Sequence, residues 1–386
     1  MDHDRLYDLA PLGHMMLVGI LIASLPLLWV WWRHRQGKTT SRLATLTGVT
    51  LFITFDLVLF GAFTRLTDSG LGCPDWPGCY GSLSPIGASA QIAASQELMP
   101  DGPVTFPKAW IEMIHRYVAT GVGVLILILA VTSWLKRRQL RMSVFWPMVT
   151  LFWVCMQGAF GALTVTMKLF PAIVTLHLLG GMGLLALLRL QTVRYAQNHQ
   201  SLTGLLPDSN QYWSPGLKLG LWLVFALVWM QIALGGWVST NYAVLACQDF
   251  PKCHGTWWPQ MDFAAGFEIW RELGMRGSGE GIPVYALTAI HYTHRLFAYV
   301  VLVAVGLLAW RLWVHDKRSQ AMIIAALGMW QLLTGMTNVV LEWPLVAAVS
   351  HTGGAAGMVI ALSGWLTWAH QPKGFRHHYG LGGRWS

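Results

Sequence analysis

The sequence predicts an all-α integral membrane protein in which two pseudo-symmetric four-helix bundles, arranged as parallel repeats, follow one extra N-terminal transmembrane helix, giving about nine spans. Two observations favour this fold class. Of the 386 residues, 54% are hydrophobic and only 11% are charged, whereas a soluble domain has about 25% charged residues. The two halves of the sequence also repeat one another at a constant spacing, which is typical of membrane proteins built from duplicated units.

Apolar runs long enough to cross a bilayer occupy most of the chain. A transmembrane helix needs roughly 20 predominantly apolar residues. The predicted spans are Leu12 to Trp32, Ala44 to Thr64, Ile114 to Leu135, Val144 to Thr166, Ala172 to Leu190, Leu217 to Ser239, Leu287 to Trp313, Gln320 to Leu341 and Leu345 to His370. The first run has an acidic front and no small-residue cleavage site after it, so we interpret it as a helix and not as a signal peptide.

Basic residues cluster in alternate connections and in the tail, and this clustering predicts the orientation. They are Arg33, Arg35, Lys38 and Arg42, then Lys136, Arg137, Arg138 and Arg141, then Arg189 and Arg194, then Arg311, Lys317 and Arg318, and finally Lys373, Arg376 and Arg384. Cytoplasmic connections are rich in Lys and Arg, so the C-terminus is predicted to lie inside. The N-terminus and the long connections 65–113 and 240–286 are predicted to lie outside. This placement explains the net charge of +9 without nucleic acid as a partner.

An internal repeat with an offset of 174 positions relates the two bundles. It aligns Cys73 with Cys247, Pro77 with Pro251, Cys79 with Cys253, Gly81 with Gly255, Gln157 with Gln331, Gly161 with Gly335 and His177 with His351. His115 matches His294 at an offset of 179 instead, which requires only a longer second outward loop. Each unit holds four helices, an even number, so both units cross the membrane in the same sense.

The repeat divides the chain into five predicted segments. Residues 1–43 hold the extra helix and a basic cytoplasmic loop, and residues 44–194 form the first bundle. Residues 195–216 are a cytoplasmic linker, residues 217–370 the second bundle, and residues 371–386 a basic cytoplasmic tail.

Four histidines near the outer ends of the predicted spans are candidate haem ligands. His115 opens the second helix of the first unit, and His177 lies about one and a half turns into its fourth helix, near the same membrane face. His294 and His351 repeat this arrangement. Two imidazoles on different helices at one depth suit axial ligation of a haem iron. The alternative is a hydrogen bond to a carbonyl of a neighbouring helix, and zinc would require three or four ligands close together.

Three arginines are candidate contacts for haem propionates. Arg116 and Arg295 directly follow their histidines, and Arg65 lies at the mouth of the first outward connection. Arginine suits carboxylates because its fork donates two parallel hydrogen bonds. Snorkelling toward lipid headgroups is an equally good interpretation.

The two units differ beside their first histidine. Glu112 precedes His115 by three residues, whereas the equivalent position holds His291, which we expect not to play the same part. A carboxylate near a haem edge can move protons or stabilise charge, so the first unit is predicted to be the reactive one. The alternative is that Glu112 only complements the helix dipole. Asp56, predicted to be buried in the second run, fits a proton relay or an interhelical hydrogen bond.

Four of the five cysteines form two pairs in the outward connections. Cys73 and Cys79 lie in the first connection. Cys247 and Cys253 lie in the second, and Cys155 stands alone in an apolar run. An oxidising exterior permits disulfides there. Structural disulfides and redox-active pairs are equally good interpretations.

With these residues in view, the sequence resembles the haem A synthase family of bacteria. The resemblance covers residues 44 to 370 in order, and the first helix departs from it. The motifs that carry it are GAFTRLTDSGLGCPDWPGC from Gly61 to Cys79, EMIHR from Glu112 to Arg116, TLH ending at His177, HR at His294, and SHTGG from Ser350.

The resemblance implies a haem-dependent membrane oxidoreductase of the haem O monooxygenase type. Such an enzyme oxidises the C8 methyl group of haem O to a formyl group and supplies haem A to cytochrome oxidase. It implies that Glu112 is catalytic and that His115 and His177 bind the substrate haem. It also implies that His294 and His351 hold a cofactor haem b, in the bacterial inner membrane. A haem held by two histidines has no open position for oxygen, so one ligand has to leave or be absent in the working state.

Other classes of protein remain open on the residues alone. They are a bis-histidine membrane cytochrome exchanging electrons with quinone, a transporter built from parallel repeats, and a thiol oxidoreductase. Glu112 in only one unit argues against the first, and a lone Asp56 gives thin support to the second. The expected partners are haem O and membrane lipid, with haem O synthase, an unidentified electron donor and a second copy of the chain as further candidates.

Overall fold

The computed structural model describes residues 10–35, 39–140, 142–203 and 213–370. Within these ranges the regular secondary structure is helical, and the loops contain three isolated β-bridges. Nine of the described helices are long and apolar enough to cross a membrane, which confirms the predicted all-α membrane class and the number of spans. Outside the described residues lie Lys38, Arg141, the middle of the predicted linker, and the tail 371–386 with Lys373, Arg376 and Arg384.

Among the described residues, the nine long helices are interrupted by three short α-helices and by one 3-10 turn, Ala243–Leu245. In chain order the helices are α1 (Ala10–Arg33), α2 (Thr39–Leu66), α3 (Ser89–Leu98), α4 (Phe106–Leu135), α5 (Arg137–Leu140), α6 (Phe145–Thr166), α7 (Pro171–Thr203), α8 (Pro215–Thr240), α9 (Phe263–Gly266), α10 (Val284–Val314), α11 (Arg318–Val340) and α12 (Leu345–Ala369). Because α7 is longer than its predicted span, Arg194 lies within the same helix as Arg189 and not in a loop, and the cytoplasmic side of both residues stays a prediction.

Local signals explain why α4 begins earlier than its predicted span. Thr105 caps the helix by accepting a hydrogen bond from the Lys108 N–H at 3.4 Å, and Pro107 occupies the first turn. Both residues are favoured at these positions. Glu112 therefore lies inside a formed helix together with His115, as the predicted shared face requires.

Each half of the protein contains a closed ring of four helices. In the first half α2 packs on α4, α4 on α6, α6 on α7, and α7 on α2. In the second half α8, α10, α11 and α12 pack in the same cyclic order. The halves meet where α12 packs on α2 and α7, and where α7 packs on α8. In the repeat, α2 corresponds to α8 and α12 corresponds to α7, so the α2–α12 contact is equivalent to the α8–α7 contact. This equivalence supports the predicted relation between the halves. The direction of the symmetry axis that relates them stays a prediction.

Equivalent positions of the two halves touch at the outer end of this junction. The Arg65 guanidinium donates a hydrogen bond to the Ser239 carbonyl at 2.6 Å, and the Tyr242 hydroxyl donates to Asp68 at 2.6 Å. Both pairs are 174 positions apart, and self-matching contacts of this kind arise where related units meet around a twofold axis. Arg65 also lies 4.0 Å from the centre of the Tyr242 ring. Arg65 is therefore part of the junction between the halves.

The extra helix α1 packs closely on α4. A Cβ atom at Gly19 would lie 3.0 Å from the Cβ of Thr120, and one at Gly121 would lie 2.9 Å from Cγ2 of Ile22. These glycines allow the two helices to approach, as small residues do between transmembrane helices. The extra helix is therefore a packed part of the first half.

We expect Gly19→Leu to separate α1 from α4, because the new side chain collides with Thr120. Overpacking of this kind costs about 1–3 kcal/mol, which should lower the Tm of the detergent-solubilised protein. Gly13→Leu is the matched control, since Gly13 lies on the same helix and faces open space. Equal Tm values for the two variants would contradict this packing.

Candidate functional site

One cavity extends through both halves and is lined by all four candidate histidine ligands. Its volume is about 750 Å³, within the usual range for cofactor sites. Most of its walls are apolar side chains, and a few polar groups lie among them, which is the common composition of such sites. His115, His177, His294 and His351 therefore come together around one space.

Each histidine ring rests against a glycine of the neighbouring helix. In the first half, a Cβ atom at Gly61 would lie 3.0 Å from Nε2 of His115, and one at Gly161 would lie 3.2 Å from Cε1 of His177. In the second half, a Cβ atom at Gly235 would lie 2.9 Å from Cε1 of His294, and one at Gly335 would lie 3.4 Å from Cε1 of His351. A side chain would be crowded at Gly61, Gly161 and Gly235, while Gly335 lies at the limit of ordinary van der Waals contact. Gly61 and Gly235 obey the 174-position repeat like Gly161 and Gly335, so the sequence contained this signal, but only the packed helices show that these glycines face the histidines.

The histidines of α7 and α12 are held by side chains of the preceding helix. Gln157 donates a hydrogen bond to the His177 carbonyl at 2.6 Å, and its amide nitrogen lies 3.1 Å from Nδ1. Gln331 donates in the same way to the His351 carbonyl at 2.8 Å. The repeated glutamines are therefore supports for the fourth helix of each half.

Thr334 adds a contact that determines the tautomer of His351. Its hydroxyl oxygen lies 2.9 Å from His351 Nδ1, and the hydroxyl donates to the Trp330 carbonyl at 2.7 Å. A hydroxyl has one proton, so its oxygen accepts the Nδ1–H bond and leaves Nε2 free of a proton. An imidazole held at Nδ1 with Nε2 free is the arrangement that metal-binding histidines use.

The first histidines of the two halves are held differently. Gln231 of α8 donates to the His294 carbonyl at 3.1 Å, and its amide nitrogen lies 3.1 Å from Nδ1 and 3.4 Å from Nε2. Among the described residues, the ring nitrogens of His115 have no protein hydrogen-bond partner. The neighbours of that ring are Gly61 and Phe60, whose ring centre lies 6.1 Å away.

Glu112 is buried and connects α4 to the first outward loop. One carboxylate oxygen accepts the Cys73 N–H at 2.8 Å, and the other accepts a hydrogen bond from Arg116 at 2.5 Å. Only 4% of the residue is exposed. The carboxylate is thus fixed and charge-balanced on the cavity wall beside His115.

His291 occupies the same structural place in the second half, and the expectation that it cannot act as an acid there stays a prediction. The Cys247 nitrogen lies 3.3 Å from His291 Nδ1, and Arg295 Nε lies 3.2 Å from Nε2. A neutral imidazole accepts a hydrogen bond at one nitrogen only. His291 therefore supports the loop as Glu112 does, but without a carboxylate charge.

Arg116 and Arg295 hold the outward loops by their backbone. Arg116 donates to the carbonyls of Asp75, Pro77 and Gly78 at 3.0, 3.2 and 2.6 Å. Arg295 donates to the carbonyls of Asp249 at 2.8 Å, of Lys252 at 3.4 Å, and of Cys247. In the structure, both guanidinium groups donate their hydrogen bonds to loop carbonyls. The predicted contact of these arginines with haem propionates stays a prediction.

Both cysteine pairs form disulfides in these loops. The sulfur atoms are 2.12 Å apart in Cys73–Cys79 and 2.01 Å apart in Cys247–Cys253. Each disulfide is buried.

One aspartate stabilises the turn within each disulfide loop. Asp75 accepts the N–H groups of Tyr80 and Gly81, and Asp249 accepts those of His254 and Gly255. Burial opposes ionisation of Asp249, but these hydrogen bonds outweigh it and hold the pKa of this carboxyl below its ordinary value. The two loops therefore share one construction.

Asp56 lies apart from the site, and its predicted burial was wrong. It is on the exposed face of α2, one turn after Phe52, whose side chain is 64% exposed. It is not among the residues that line the cavity. A proton relay through Asp56 to the histidines therefore has no support in the described part of the chain.

The fold and the site define a multi-pass membrane protein whose duplicated halves each place two histidines on the wall of an apolar cavity. Residues 44–363 match the sequence profile of the cytochrome oxidase assembly protein family, COX15-CtaA. The chain belongs to this family.

Several bacterial relatives carry the name heme A synthase. The relative from Shewanella oneidensis is 39% identical over 329 residues, which cover 83% of this chain and 94% of the relative. The relative from Caulobacter vibrioides is 27% identical over 337 residues, which cover 81% and 92%. The relative from Halalkalibacterium halodurans is 26% identical over 268 residues, which cover 69% and 79%.

Replacing Arg116 by Lys should loosen the first disulfide loop. An ammonium group lacks the fork that reaches several carbonyls, and each hydrogen bond to a charged group contributes roughly 1.5–3 kcal/mol. Loss of one such bond makes opening of the loop about tenfold or more frequent. We expect dithiothreitol to reduce Cys73–Cys79 faster by that factor, measured by alkylation and mass spectrometry.

The second disulfide of the same molecule is the internal control. Cys247–Cys253 should keep its reduction rate in the Arg116→Lys variant, and Arg295→Lys should reverse the pattern. Reduction rates unchanged from those of the parent protein in both variants would show that the arginines do not hold the loops.

Proposed function

We propose that this protein is a haem A synthase, an enzyme of haem A biosynthesis that serves the assembly of cytochrome oxidase. The observation that carries the proposal is the 39% identity to a heme A synthase over 94% of that relative's length. The four histidines around one apolar cavity support it, because the reaction needs a large planar substrate to be held within the membrane. The same relatives disfavour a bis-histidine cytochrome that only carries electrons.

The proposed substrate is haem O, whose C8 methyl group is oxidised to a formyl group. In this proposal His115 and His177 bind haem O in the first half. His294 and His351 hold a haem b in the second half, where Thr334 leaves Nε2 of His351 free for a metal. When bound, haem supplies the iron at which oxygen is activated and through which electrons pass.

Glu112 is the proposed catalytic residue of the first half. Its carboxylate is fixed between Cys73 and Arg116, so it can hold a proton or oppose a developing positive charge without moving. Its structural counterpart His291 brings no negative charge to the second half. This difference supports a reactive first half and an electron-carrying second half.

The proposal includes a membrane location and partners. The protein lies in the bacterial inner membrane with its N-terminus outside and its C-terminus cytoplasmic, as the basic connections predict. Haem O synthase is the proposed source of the substrate, while the electron donor and a homo-oligomeric state are open to direct measurement.

The test is extraction of haem from membranes of a host that makes haem O but no haem A. Expression of the parent protein should yield haem A. Glu112→Gln keeps an acceptor for the Cys73 N–H but removes the charge, so haem A should fall by about 10²- to 10⁴-fold while haem O stays bound.

Glu97→Gln is the matched control, because Glu97 is an exposed acid in the same outward segment. Haem A should remain at the parent level in this variant. Absence of haem A with the parent protein would contradict the proposed function. Parent-level haem A with Glu112→Gln would instead contradict only the catalytic role of Glu112.

A further inference from the structure

The cavity reaches deeper into the membrane between α4 and α6 than between α10 and α11. In the first half its wall continues along Leu127 of α4 and along Leu151, Val154 and Cys155 of α6. Leu127 follows His115 by 12 positions, which is about 18 Å along a helix. The equivalent positions of the second half do not line the cavity, and they hold Gly306, Ala325, Gly328 and Met329.

This deep part of the cavity ends at the outer surface of the bundle. Leu127 is exposed and shares its face of α4 with Trp134, which is 54% exposed two turns further along. On α6 the exposed Cys155 lies one turn after Phe152, which is 70% exposed. Leu127 and Cys155 therefore belong both to the cavity wall and to the surface that meets lipid, so the cavity opens sideways between α4 and α6.

Two glycines border this opening, and leucines take their places in the second half. Gly123 of α4 and Gly158 of α6 line the cavity, and a Cβ atom at either glycine would have no atom of another helix within 4 Å. The repeat places Leu302 and Leu332 at these positions, and both leucines line the cavity. The first half therefore leaves a gap where the second half has two large side chains.

Helix packing also closes the equivalent gap in the second half. A Cβ atom at Gly328 of α11 would lie 2.9 Å from Cγ1 of Val305 on α10, so these helices are in close contact at this level. The equivalent residue of the first half is Val154, which lines the cavity instead.

The outer ends of the two halves do not differ in this way. Trp76 of the first disulfide loop and Phe250 of the second are equivalent, and both line the cavity. The first loop is held over α4 by Glu112 and Arg116. A broad and largely apolar molecule such as haem can use a gap between helices at the level of the lipid chains without opening this loop.

We propose that haem enters and leaves the first half sideways from the membrane, through the gap between α4 and α6 that Gly123 and Gly158 border. Leu302 and Leu332 close the equivalent path, so the haem of the second half stays in place. The inference rests on the proposed function, in which the first half exchanges substrate for product and the second half keeps a cofactor.

The experiment exchanges one bordering residue between the halves. Gly158→Leu gives α6 the side chain that α11 has, and Leu332→Gly makes the reverse change. Gly306→Leu is the matched control, because Gly306 is exposed on α10, faces open space and does not line the cavity.

Haem b is the probe, and its transfer is followed by absorption on the purified proteins in lipid nanodiscs. Release is measured with excess apomyoglobin as the acceptor, and uptake is measured by adding haem b back to the stripped proteins. The bands that His115→Ala removes identify the haem of the first half.

Gly158→Leu should slow both release and uptake of the first haem. A passing haem has to displace the new side chain, and a displacement of this size slows passage by roughly 5- to 150-fold. The affinity, which is the ratio of the two rates, should stay at the parent value because neither end state changes. Leu332→Gly should speed release of the second haem by a similar factor, and Gly306→Leu should keep the parent rates.

The outcomes separate this inference from the proposed function. Parent rates in Gly158→Leu, or equal slowing in Gly306→Leu, would overturn the inference, while haem A formation by the parent protein would still support the function. A changed release rate with a matching change in affinity would assign position 158 to the binding site and would also overturn it. If Gly158→Leu retains no haem, Leu332→Gly decides, and unchanged release of the second haem overturns the inference.

Discussion

The structure depends on how polar imidazole rings are held between helices at membrane depth. An ionisable side chain there is costly unless it faces the protein interior and finds partners. Each half meets this constraint with a glycine opposite each ring and a glutamine that supports the histidine of its fourth helix. The glycines at positions 61, 161, 235 and 335 bring the helices close enough to hold the rings, so helix packing and ligand placement are one feature.

The outward loops are attached to the helical turn that carries the first histidine of each half. Arg116 follows His115, and its guanidinium holds the carbonyls of the first disulfide loop. Glu112 lies one turn earlier and accepts an N–H of the same loop. A movement of this loop would therefore reach the carboxylate and the histidine together. The second half keeps the construction with His291 and Arg295 but loses the negative charge.

The sequence was sufficient to predict the spans, the repeat and the histidines that line the cavity. Hydrophobic runs of bilayer length specify helices strongly, and uncommon residues such as His177 and His351 recur at one offset. The start of α4 was missed because Lys108 and Glu112 interrupt its apolar run, although the cap at Thr105 marked the boundary. The face that Asp56 presents depends on how α2 packs, which hydrophobicity alone does not specify. The partners of Arg116 lie about 40 positions away, and only the folded loop brings them near.

Absorption spectra of the purified protein and of its His115→Ala and His294→Ala variants test the central claim most directly. We place one haem between His115 and His177 and another between His294 and His351. Each substitution should therefore alter the bands of a different haem and leave the other haem's bands as in the parent protein. Loss or shift of the same bands in both variants would contradict this placement.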